Sequence, residues 1–85
     1  PSTEGIEFLA GPSAAARLGV IARVRLGPDG TVYWSQRDEN AINALSPQGM
    51  VRRVVELADA PLDFVVEPSG SLLVAVDAAL VRVRP

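Results

Sequence analysis

The 85-residue chain contains no cysteine, no histidine and no lysine. Without cysteine there are no disulfides, thiolate metal sites or cysteine nucleophiles. Without histidine the commonest metal ligand and the commonest general base are missing. The cationic residues are all arginine, which leaves no Schiff-base or lysine general-base chemistry. No apolar run approaches the roughly 20 residues of a membrane helix, and the polar N-terminal stretch does not read as a signal peptide. No membrane partner is expected. A net charge of −2 and a pI near 4.9 also disfavour a nucleic-acid partner.

What is present is globular. The chain is 48% hydrophobic and 21% charged, too apolar for a disordered segment. A chain this short buries only about 60–65% of its unfolded surface, so it forms one small domain at most. Arginine- and alanine-rich usage without lysine points to a high-GC bacterial coding sequence.

A turn recurs. Pro28-Asp29-Gly30, Pro47-Gln48-Gly49 and Pro68-Ser69-Gly70 each set proline near φ −65°. The glycine two residues on can take the left-handed conformation that closes a type I turn with a bulge. Between these turns lie short strand candidates: Ile21–Leu26, Val32–Ser35, Ala41–Leu45, Val51–Leu57, Leu62–Glu67, Leu72–Val76 and Leu80–Val83. Ile6–Leu9 is an eighth. The apolar run Leu72–Val76 predicts a sheet covered on both faces. Pro12–Leu18 is a single helical turn at most, because so few residues cannot sustain a helix alone.

Aligning the turns exposes a repeat. Residues 26–35 match residues 66–75 at an offset of 40, and residues 41–47 match residues 79–85 at an offset of 38. Asp77-Ala78 replaces the longer polar loop Gln36–Asn40. A period near 40 residues with about four strands per unit is the signature of a propeller blade. The pattern of Leu26–Ser35, Asn40-Ala41-Ile42 and Ser46-Pro47-Gln48-Gly49 resembles the NHL family of propeller repeats. Phe8-Leu9-Ala10-Gly11 and Ala16-Arg17-Leu18 resemble its inter-blade segment. Gln36 replaces the family's usual acidic residue, and the second copy lacks its Asn-rich loop.

The expected fold is therefore all-β: β-propeller blades built as two four-stranded antiparallel sheets, with strands in the order d-abcd-abc. Residues 1–9 supply an outer strand that completes a blade, 20–57 a full blade, and 62–85 three strands of a second. Two blades cannot close a ring of the usual four to eight. Alone they would expose apolar faces and an unpaired edge. Completion by oligomerisation is expected, a trimer above all, or else by the rest of a larger propeller. The competing architecture is a self-contained eight-stranded barrel or sandwich.

Few residues point to chemistry. Arg23 and Arg25 alternate on the innermost strand, where they could line a channel and capture an anion. An Arg23–Asp63 ion pair between blades is the simpler role. Tyr33 and Trp34 must lie on opposite strand faces, in the core or free to stack on a ligand. Arg52-Arg53 is placed to protect an edge strand. Asp38-Glu39-Asn40 offers oxygen donors for Ca²⁺ but too few of them, and reads as a solvated loop. No paired carboxylates stand out, so no catalytic residue, metal or cofactor is assigned. A non-catalytic binding or scaffold module is expected, for a protein or small ligand. The alternatives are a lectin-like glycan-binding oligomer and a fragment of a metal-dependent lactonase- or lyase-like propeller enzyme.

Overall fold

The computed structural model describes residues 5, 7, 9, 10 and 18–85. Seven strands form among them: β1 (Ile21–Leu26), β2 (Val32–Gln36), β3 (Ala41–Leu45), β4 (Val51–Glu56), β5 (Asp63–Val66), β6 (Leu72–Val76) and β7 (Ala79–Val83). All pairings are antiparallel between chain neighbours. The result is a four-stranded sheet, β1-β2-β3-β4, and a three-stranded sheet, β5-β6-β7. The chain is all-β, and the sheets do not close into a barrel. The expected strand Ile6–Leu9 and turn Pro12–Leu18 fall largely outside the described residues.

The three Pro-x-Gly turns share one hydrogen-bond pattern. The N–H of Gly30, Gly49 and Gly70 donates to the carbonyl of Gly27, Ser46 and Glu67, at 3.2, 2.9 and 2.8 Å. Those same three residues donate their own N–H to Thr31, Met50 and Ser71. The glycines carry φ of 91°, 89° and 90°, which is why a residue without Cβ ends each turn. Each turn gains a further local bond, because Asp29 Oδ1 accepts the Thr31 N–H, Ser46 Oγ the Met50 N–H and Ser69 Oγ the Ser71 N–H.

Backbone conformation also follows the repeat. Asn40 before β3 and Ala78 before β7 are equivalent at the offset of 38, and both are left-handed, with φ of 51° and 60°. Asparagine tolerates this conformation, whereas alanine is strained in it. The longer loop contains a single 3₁₀ turn, Arg37–Glu39.

The two sheets stack face to face. Tyr33, Ile42 and Ala44 of the first meet Phe64, Leu72 and Val74 of the second in one buried cluster, flanked by Val54, Val55, Leu57 and Val83. Removing a side chain of this size from water contributes about 1.5–3 kcal/mol. Tyr33 also fixes its neighbour: a Cβ on Gly27 would lie 2.8 Å from its Cε1. The equivalent positions in the second copy are Glu67 and Leu73, a smaller side chain opposite a larger one.

Both faces of β3 are buried, but β6 is covered on one face only. Leu73 and Ala75 remain half-exposed beside the exposed Val65 and Leu80. The apolar run Leu72–Val76 thus lacks a second cover within the described residues.

Replacing Ala78 with glycine should relieve the left-handed strain. The expected result is a gain of about 0.5–1 kcal/mol, read as a higher denaturant midpoint with an unchanged slope.

Candidate functional site

Two places concentrate side-chain chemistry: the seam between the sheets at β1 and β5, and the outer face of the four-stranded sheet.

At the seam, β1 and β5 are the contacting edges of their sheets. Arg25 bridges them. Its Nε donates to the Phe64 carbonyl at 2.9 Å, its Nη2 to Asp63 Oδ1 at 2.6 Å and its Nη1 to the Val24 carbonyl at 3.0 Å. The guanidinium carbon also lies 5.8 Å from the centroid of the Phe64 ring, within cation–π range. Asp63 accepts the Phe64 N–H as well, which holds its carboxylate in place for Arg25. Asp63 therefore pairs with Arg25, two residues beyond the expected partner Arg23. The long Arg25 side chain reaches the first residue of β5, while the Arg23 side chain is exposed. Arg23 contributes its backbone N–H, which donates to Ser35 Oγ at 3.0 Å.

Tyr33 and Trp34 lie on opposite faces, as the period of two requires. Tyr33 fills the inter-sheet core. Trp34 is on the outer face, 3% exposed, and its buried indole N–H has no acceptor among the described residues. It borders an apolar cleft of about 200 Å³, together with Val24, Val32 and Leu45 from the sheet and Leu9 and Leu18 from the preceding segment.

Beyond this cleft the same sheet carries a polar ladder. Asn43 Nδ2 donates to Gln36 Oε1 at 2.6 Å, Arg53 Nε donates to Asn43 Oδ1 at 3.2 Å, and Arg53 pairs with Glu39. The Glu39 carboxylate raises the Arg53 pKa further above its already high value, mainly through the side-chain hydrogen bond. Arg53 is thus tied into a network, rather than serving only as edge protection. The loop residues offered for Ca²⁺ are also dispersed. Asp38 Oδ1 accepts the Val20 N–H, Glu39 faces Arg53, and Asn40 Nδ2 donates to the Ala58 carbonyl. Each of the three side chains reaches a different stretch of chain, Asn40 through its amide nitrogen. Among the described residues, no three His, Cys, Asp or Glu side chains converge on a point that could hold a metal.

The ladder and the Arg25–Phe64 bond were not legible in the sequence. The Arg25–Phe64 bond joins residues 39 apart in the chain, the ladder depends on the register of adjacent strands, and neither carries a motif. Compared with protein-family models, curated proteins and solved structures, the chain matches none.

Two carboxylates respond to pH in a defined direction. Asp29 sits below the usual carboxylate range, first through the backbone N–H of Thr31 and then through its side chain. Glu67 is lowered chiefly by its hydrogen bonds from Arg82, at 2.9 and 3.0 Å. A lowered folded-state pKa adds stability above the unfolded value, near about 4, which is lost as pH falls through the folded value. The denaturant midpoint should therefore fall on acidification below about pH 4, and less steeply in Asp29→Asn and Glu67→Gln. A separate prediction concerns the seam. Arg25→Ala should cost about 1 kcal/mol, since the pair is partly exposed, while Arg23→Ala should stay within about 0.5 kcal/mol; chemical denaturation checks both.

Proposed function

We propose that the chain is a unit of a β-propeller and serves as a non-catalytic binding and scaffold module, completed by further copies of itself or by a longer propeller. One observation carries this reading. Two consecutive antiparallel meanders, related by a 40-residue repeat, stack face to face with their first strands β1 and β5 in contact. Successive propeller blades meet in this way, with each meander running outward from an inner strand. The NHL-like turn spacing supports the same reading, and it remains a resemblance.

The unit is left unsatisfied in two respects. The far edge of β7 has no strand partner among the described residues, and the outer face of its sheet is apolar and exposed. Both features favour association over an isolated life. The loops that join β2 to β3 and β6 to β7 occupy equivalent places in the two meanders. They give a completed ring one loop-bearing rim on which a partner could dock.

The scaffold reading and the metal-dependent enzyme reading separate in one preparation. Light scattering after size exclusion should give a mass well above 9.0 kDa, with three times that value for the trimeric ring. Metal analysis of the same fractions should find no stoichiometric Ca²⁺, Zn²⁺ or Mn²⁺. A stable 9.0 kDa species would overturn the module reading, and a tightly held metal would revive the enzyme.

A further inference from the structure

The repeat makes each outer face of the chain the equivalent of a surface that is already packed. In the inter-sheet core, the first sheet presents Tyr33, Ile42 and Ala44, and the second presents Phe64, Leu72 and Val74. Shifting by the repeat offsets turns Tyr33 into Leu73, Ile42 into Leu80 and Ala44 into Arg82. It likewise turns Phe64 into Val24, Leu72 into Val32 and Val74 into Trp34. The first set lies on the outer face of the second sheet, and the second set lies on the outer face of the first sheet. Both halves of a second, similar interface are therefore present, but at opposite ends of the stack.

We infer that one copy docks the Val65–Leu73–Leu80 face of its second sheet onto the exposed Val24–Leu26 margin of the first sheet of another copy, head to tail, beside the cleft where Trp34 is already buried against Leu9 and Leu18. This rests on the reading of the chain as repeated stacked sheets, and it specifies which surfaces meet. Exposure agrees with the assignment. Val65 and Leu80 are 48% and 74% exposed on one face, and Val24 and Leu26 are 55% and 71% exposed on the other. Charge agrees as well. On the docking face of the second sheet, Arg82 is neutralised by both oxygens of Glu67, and Asp63 by Arg25. On the first sheet, Arg53 is matched by Glu39 and Glu56. These strand and loop charges therefore enter the contact already paired, with Glu7 at the rim of the Trp34 cleft the carboxylate left beside them. The contact continues the inter-sheet interface inside the chain, so association extends a packing mode that the molecule already uses. Because the two patches differ, the interface is heterologous, and copies add in one direction until a ring closes.

The test uses the 85-residue chain with one face broken at a time. Leu80→Asp disables the second-sheet face and Val24→Asp the first-sheet face. Both residues are exposed, so far-UV circular dichroism should stay unchanged. Each variant alone should sediment as a 9.0 kDa monomer, and an equimolar mixture should give twice that mass, because one intact interface remains between the two variants. Should an aspartate variant fail to fold, Leu80→Ser and Val24→Ser should weaken association about tenfold or more. Either variant keeping the parent mass, or a mixture that stays monomeric, overturns the inference while leaving an associating parent intact. A monomeric parent overturns the module reading itself.

Discussion

The structure depends on the stacking of two sheets that each have more apolar surface than they can hide alone. An isolated meander of three or four strands leaves an entire face to water, and at this chain length little else can cover it. Packing Tyr33, Ile42 and Ala44 on Phe64, Leu72 and Val74 hides one face of each sheet. Everything else is arranged around that contact. Leu57 closes its margin, and Arg25 locks the two first strands across their edges. Gly27 stays without a side chain so that Tyr33 can lie flat beside it.

The same stacking leaves the molecule's character unresolved at its outer faces. Two sheets have four faces, and one contact covers only two of them. The first sheet's other face is partly covered by Leu9, Ala10 and Leu18, around the cleft at Trp34. The second sheet has no such cover among the described residues. Apolar surface that a folded chain cannot bury internally favours association.

Polar chemistry in the chain is structural wherever its geometry is defined. Asp29 and Ser69 secure turns, and Arg82 with Glu67 neutralises a sheet face. Gln36, Asn43, Arg53 and Glu39 tie three strands and a loop together. None of these groups is left free and convergent in the way a catalytic constellation requires. The buried N–H of Trp34 is the exception, a donor without an acceptor among the described residues, beside an apolar cleft.

Much of the architecture was legible in the sequence because it is local. Pro-x-Gly spacing dictates the turns, since proline fixes one φ and glycine alone accepts the next positive one. Alternation and β-branched runs located β1, β3 and β6 to the residue, and missed the ends of the other strands by one position. The offset of 38 even aligned Asn40 with Ala78, which share a left-handed backbone. The sequence by itself determined strands, turns and the order in which they pair, because each follows from neighbours a few residues apart. Only the tertiary structure decided which arginine meets Asp63, that Arg53 belongs to a ladder, and that the apolar run Leu72–Val76 is covered on one face alone. The Asp63 pairing and the cover of β6 depend on how two sheets approach one another, and the ladder on which side chains the register of one sheet sets side by side. A side chain as long as arginine can choose among several partners within reach, and no local pattern records that choice.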